Sequence, residues 1–167
     1  MPELRSVDVG VVAVLAEASA LDRLAAEAEA EAEAEAKAGA KAGAGMDGAR
    51  LLRTAPDELL ILAAPDSREA RRRLADEHVA SADPDGVVLD VSDGWAALRI
   101  DGNDARTAFA RLSALELPED GWTQGDVAHV ATKVVAEPGR VLILVPSYWR
   151  EHVRVRIEAA IAREVSA

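Results

Sequence analysis

The sequence predicts an α+β fold, a mostly antiparallel sheet with helices packed on one face, built from two pseudo-repeated halves that each read strand, helix, strand, strand, helix. Three observations carry this. Short apolar runs rich in Val, Ile and Leu are bounded by Pro, Gly and Asp turn signals. Helical patterns fall between those runs and not in one block. Finally, Pro56 and Pro138 stand 82 residues apart, and the same offset lays Leu59-Leu60-Ile61-Leu62-Ala63 onto Val141-Leu142-Ile143-Leu144-Val145 and Asp8-Val9 onto Asp90-Val91.

In the first half, residues 5–16 alternate weakly and are valine-rich, as one strand with a buried face. Ala20–Lys37 is dominated by Ala and Glu, good helix formers and poor strand formers, so a helix is predicted despite its period-two look. Leu21 and Leu24 anchor its start, whereas Glu27, Glu31 and Glu35 repel one another at spacing four. In residues 38–48 each glycine costs about 1 kcal/mol of helix stability relative to alanine, which predicts a flexible linker or loop over 38–48, overlapping the low-complexity Ala/Glu segment 25–45. Arg50–Thr54 and Leu59–Ala64 form a hairpin turned by Pro56. Asp66 then caps a helix that buries Ala70 and Leu74, and Asp83-Pro84-Asp85-Gly86 breaks the chain.

The second half opens with strand Val87–Val91, turn Ser92-Asp93-Gly94 and strand Trp95–Ile100. Asn103 or Asp104 caps a helix with Ala105, Ala108, Phe109, Leu112 and Leu115 on one face. Leu117–Gly125 reads as a loop, Val127–Ala136 as a strand, and Glu137–Arg140 as the turn into Val141–Val145. The last helix starts near Ser147 and buries Trp149, Val153, Ile157 and Ile161. The 167 residues fit a single domain, with a first half over 1–82 and a second over 87–167.

Composition narrows the function classes. A formal charge of −11 opposes nucleic acid and anionic membrane, because each phosphate contact needs a Lys or Arg and the net field of this chain repels a polyanion. The absence of cysteine removes disulfides, thiolate metal sites and thiol nucleophiles. The apolar run 9–16 has no basic segment before it, and no run reaches the roughly 20 residues that span a bilayer, so a cytoplasmic protein is expected.

No nucleophile, base or metal-ligand constellation stands out, and no catalytic, cofactor or metal residue is predicted. His78, His129 and His152 have no carboxylate or cysteine at ligand spacing. Arg71, Arg72 and Arg73, with Arg68, form the basic cluster; they either dock an acidic partner or anion or are a solvated helix face. Asp101–Asp104 enters a helix N-terminus, where capping suffices as an explanation. Asp90, Ser92 and Asp93 could hold a base or bind an amine, but lack a His or Lys partner and read as turn-makers. Trp122, in a polar loop, and Trp95 are either core or partner-facing anchors, and with Arg71 and Arg72 they make the predicted partner interface.

Several landmarks also carry a family resemblance: Pro56-Asp57-Glu58-Leu59-Leu60 before a helix, Asp90-Val91-Ser92-Asp93-Gly94, Leu98-Arg99-Ile100-Asp101-Gly102 with Ala105 after it, Gly125, and Leu142–Pro146 with Ser147-Tyr148. From Arg50 onward the chain resembles the gamma subunit family of heterotetrameric sarcosine oxidase, and more distantly the folate-binding aminomethyltransferase domains. The resemblance implies a non-catalytic accessory subunit of a flavoenzyme complex for oxidative N-demethylation. It places FAD, FMN, NAD and tetrahydrofolate in larger partner subunits and no cofactor on this chain. A free-standing folate-binding or one-carbon-transfer domain is the alternative, and an acidic adaptor protein the third.

Overall fold

The computed structural model describes residues 1–37 and 49–162, so the linker predicted at 38–48 lies outside the described residues. The elements are β1 (Glu3–Val7), β2 (Gly10–Leu15), α1 (Ala18–Lys37), β3 (Arg50–Ala55), β4 (Glu58–Ala63), α2 (Arg68–Ala82), β5 (Val87–Asp90), β6 (Trp95–Asp101), α3 (Ala105–Ala110), β7 (Gly121–Val127), β8 (Val130–Glu137), β9 (Arg140–Pro146) and α4 (Arg150–Ala162). They make two antiparallel sheets with the helices between strands, the α+β class that the sequence predicts. No helix among the described residues is long and apolar enough to cross a membrane.

The chain divides into two compact units: a continuous one, Val9–Ser92, and a split one, Met1–Asp8 with Asp93–Ala167. In the continuous unit the strand order is β3-β4-β2-β5. Its core lies on one face, where Val12 and Val14 of β2 and Leu59 and Ile61 of β4 meet Ala20 and Leu21 of α1 and Ala75 and Val79 of α2. Val11, Leu60 and Leu62, on the other face, are buried as well, which is why β4 reads as an unbroken apolar run.

In the split unit the order is β1-β6-β9-β8-β7. Leu98 and Ile100, Val134, and Val141, Ile143 and Val145 present one face to Phe109 and Ala108 of α3 and to Val153 and Ile157 of α4. Phe109, the largest fully buried side chain, fills the centre of this core.

The topology repeats, though not as the predicted five-element unit. Each unit has six equivalent elements: β2-α1-β3-β4-α2-β5 in one, and β6-α3-β8-β9-α4 completed by β1 in the other, with orders β3-β4-β2-β5 and β8-β9-β6-β1. The 82-residue offset holds for the hairpins, whose closing pairs are Ala55 with Glu58 and Glu137 with Arg140. It fails for Asp8-Val9 and Asp90-Val91. Gly10 opposes Ala63 and Ala96 opposes Val145, so β2 corresponds to β6 at an offset of 86.

Other elements also differ from the sequence reading. Residues 5–16 are two strands in two different sheets, separated at Asp8-Val9. The cap of α2 is Ser67 and not Asp66, and its hydroxyl donates back to Ala64 O and accepts no N–H from the helix. On α2, Ala75 and Val79 are buried, whereas Ala70 is exposed and Leu74 is 47% exposed. Leu112 and Leu115 lie beyond α3 yet still pack on the core. Trp149 is 42% exposed, because Ser147–Trp149 is a 3-10 turn and α4 begins only at Arg150.

The predicted loop over Leu117–Gly125 contains most of β7. The strand predicted over Val127–Ala136 is the end of β7, a turn and β8. That turn, Ala128-His129, has φ of 51° and 68° at two non-glycine residues. Two positive φ values suit a two-residue hairpin, and such strain persists where the surroundings hold it. Here the Ala128 N–H donates to Leu112 O at 3.1 Å, and His152 Nε2 lies 3.3 Å from Ala128 O.

Candidate functional site

The four predicted interface residues fall two in each unit. Trp95 opens β6 opposite Pro146, and Trp122 is the second residue of β7, opposite Val135; both are half-buried. Strand alternation puts them together on the helix-free face of the split unit's sheet. A cross-strand row runs from Trp122 through Val135, Leu142 and Arg99 to Arg5. Trp122 thus sits on a strand and not in a loop, beside Val135 and Leu142, which are buried.

Next to that row, Asp101 gathers three guanidinium groups: Arg99 Nε at 2.9 Å, Arg140 Nε at 3.2 Å and Arg5 Nε at 3.8 Å. Arg140 also reaches Glu137 at 3.3 Å. The sequence reading assigned Asp101 only to a helix entry. Its alternation with Arg99 along β6 was the available signal, while Arg5 and Arg140 required knowledge of strand pairing. Arginine forks beside half-buried tryptophans are the chemistry of protein recognition surfaces.

Arg71 and Arg72 lie on α2 in the continuous unit. Arg72 is held by Glu69 at 2.8 Å and Asp76 at 2.7 Å, one helical turn either side. The two carboxylates satisfy its guanidinium, and Glu69 in turn is held below the usual carboxylate range, first by that hydrogen bond. Arg71 lines a cavity of about 100 Å³ with Leu24, Leu51, Leu74 and His78. His78 joins the two helices: its Nδ1 is 3.0 Å from Glu27 Oε2 and its Nε2 is 3.2 Å from Ala20 O.

The Asp90–Ser92 segment closes the same unit. Ser92 donates its hydroxyl to Asp90 Oδ1 at 2.6 Å and its N–H to the same oxygen at 3.0 Å, while Val11 N–H donates to Ser92 Oγ at 2.9 Å. Arg68 Nε stands 3.3 Å from Asp90 Oδ2, as an ion pair without an aligned hydrogen bond. The two Ser92 bonds, and then the Arg68 and Arg72 charges, hold the Asp90 carboxyl below its ordinary range. A Cβ on Gly10 would lie 2.7 Å from Arg68 Cβ, so the arginine stem crosses β2 only because residue 10 is glycine. The segment therefore ties β5, β2 and α2 together.

Asp104 sits at the N-cap of α3 but makes no side-chain cap bond; its carboxylate is 3.7 Å from the N-terminal ammonium. Gly102, at φ 118°, lets residues 1 and 2 approach, with a Cβ there meeting Met1 O at 3.1 Å. Among the described residues no three His, Asp or Glu side chains are grouped as metal ligands. Tyr148, Trp149 and His152 form an exposed aromatic ladder, with ring centroids 5.8 and 5.4 Å apart.

No protein family and no curated protein matches the sequence. Solved structures do match. A chain of heterotetrameric sarcosine oxidase from Corynebacterium sp. U-96 is similar with a TM-score of 0.72 at 18% identity, over 97% of this chain and 84% of that one. The glycine cleavage system aminomethyltransferase T from Bartonella henselae is similar with a TM-score of 0.60 at 12% identity, over 93% of this chain but only 45% of that one. The regulatory subunit of aspartate kinase from Thermus thermophilus follows with a TM-score of 0.50 at 13% identity. At these identities the likeness is one of fold, and the architecture of this chain is that of a sarcosine oxidase chain over almost its whole length.

Proposed function

We propose that this chain is a non-catalytic accessory subunit, of the gamma type, in a sarcosine-oxidase-like flavoenzyme complex acting on a secondary amine. The observation that carries the reading is mutual coverage: 97% of this chain superimposes on 84% of a chain from a heterotetrameric enzyme. The match therefore spans most of both chains, whereas the aminomethyltransferase match spans less than half of that protein. On this reading FAD, FMN, NAD and tetrahydrofolate belong to larger cytoplasmic subunits. The part-exposed residues of the helix-free face, Trp95, Trp122 and the Asp101 arginine cluster, are the first candidate for their contact, since Val135 and Leu142 on the same face are already buried, and Arg71 and Arg72 are the second.

Co-expression with the larger subunits of such an oxidase tests this. The expected result is a complex that survives size-exclusion chromatography and is weakened by Trp122→Ala at least tenfold, the range of an aromatic anchor. A chain that elutes alone beside a complete, active oxidase overturns it. The second reading, a folate-binding domain, draws on the aminomethyltransferase likeness. It predicts heat on titration with tetrahydrofolate, which the subunit reading does not.

A further inference from the structure

The continuous unit ends in an open strand edge. Among the described residues β5 pairs with β2 alone, through Val12 with Asp90, Ala13 with Leu89, Val14 with Val88 and Leu15 with Val87. Val91 N–H donates to Val11 O, so the antiparallel alternation turns the main-chain groups of Val87 and Leu89 toward β2. The N–H and C=O of Val88 and Asp90 then point away from the sheet. Such an edge is usually guarded by shortness, charge, Pro or a bulge; β5 is only four residues long and ends on Asp90, but it carries no Lys, Pro or bulge along Val87–Leu89.

The side chains beside this edge are apolar and open. Leu15, Val87 and Leu89 are 40, 45 and 45% exposed, although they are contiguous on the helix-free face of the sheet. Beyond the Val87 end lies a group of acids, in which Asp83 accepts from Glu17 N–H at 2.7 Å and from Asp85 N–H at 3.1 Å. Glu17 and Asp85 are exposed. At the other end the charges are matched: Asp90 is paired with Arg68, and Arg72 with Glu69 and Asp76.

That asymmetry selects the occupant. A second copy running antiparallel would bring its paired Arg68 and Arg72 to the acidic end, and one running parallel would set acid against acid. Each copy also carries a charge of −11. We infer that the β5 edge receives an extended segment of a different protein, with alternating apolar residues that cover Leu15, Val87 and Leu89 and with Lys or Arg at the end that reaches Glu17, Asp83 and Asp85. Main-chain hydrogen bonds to Val88 and Asp90 provide the affinity, and the acidic end sets the direction of the incoming strand. This stands independently of the accessory-subunit reading, since it names the chemistry of a segment and not the enzyme that owns it.

The test uses the full chain and two blocked peptides, Lys-Lys-Val-Thr-Val-Thr-Val and its Glu-Glu counterpart, followed by amide exchange and fluorescence anisotropy. The Lys-Lys peptide is expected to bind about tenfold more tightly and to slow exchange at Val88 and Asp90. Val88→Pro leaves the β2 ladder intact, because that N–H points outward, and is expected to abolish both effects. Glu17→Lys combined with Asp85→Lys alters only exposed charges and is expected to reverse the preference to the Glu-Glu peptide. Binding without protection at Val88 and Asp90, or an unchanged preference in the charge-swapped chain, overturns the inference. So does concentration-dependent protection without peptide, which would assign the edge to a second copy.

Discussion

The continuous and split units share one topology and differ in how they finish it. The continuous unit draws all six elements from one stretch of chain, and both its outer strands, β3 and β5, lack a second neighbour among the described residues. The split unit takes its last strand, β1, from the start of the chain and gains β7 on its opposite side. Its helical layer is also cut back: α3 has six residues where α1 has 20. The smaller layer is offset by Phe109 and by Leu112, Leu115 and Leu117, which pack on the core from outside regular structure. One topology thus serves both units, and each is closed by different means.

The largest way to break this comparison is to remove residues 1–8. The split unit loses a five-residue ladder with β6, the packing of Leu4 and the Arg5 contact with Asp101. At roughly 1 kcal/mol net per hydrogen bond the loss is several kcal/mol. Hydrogen exchange is expected to show fast exchange in β6 and β9 while β2 and β4 remain protected. Equal loss in both sheets would deny that the units are separately closed.

A smaller effect comes from the equivalent pair Gly10 and Ala96. Gly10→Ala places a methyl group 2.7 Å from Arg68 Cβ and is expected to cost about 1–3 kcal/mol in thermal unfolding, as overpacking does. Ala96→Gly in the other unit should cost only about 0.5–1 kcal/mol, the ordinary penalty of glycine in a strand. The order of the two values is the test.

The smallest effect is in acid. Asp90 is ionised more readily in the folded chain than in the unfolded one, so its contribution is complete above the ordinary aspartate range. It is lost as pH falls through the depressed folded value. Ser92→Ala removes the largest cause of the depression and is expected to flatten the acid limb of stability against pH. The register puts Ser6 of β1 at the place that Asp90 holds on β5, with no carboxylate there, so Ser6→Ala should leave that limb unchanged.

Where a residue announces its backbone state, the sequence was sufficient. Pro56 and Pro138 with the apolar runs after them defined both hairpins, and the Ala/Glu composition of α1 outweighed its misleading period of two. It was insufficient where tertiary contacts impose the backbone. Nothing in Ala128-His129 marks a turn, because its positive φ values are held by Leu112 and His152. Nothing between Val7 and Gly10 shows that the chain passes from one sheet to another. The candidate surface was legible as residue types, Trp95 and Trp122, but not as a surface. Its organising group, Asp101 with Arg5, Arg99 and Arg140, is assembled from three strands that are distant in sequence.

The central claim is that this chain completes a larger oxidase, and native mass spectrometry of the co-expressed subunits tests it most directly. The account predicts an assembly that contains this chain in fixed stoichiometry and loses it first when Trp122 is replaced by alanine. A full assembly of the other subunits without this chain, with the free chain in the same spectrum, would contradict it.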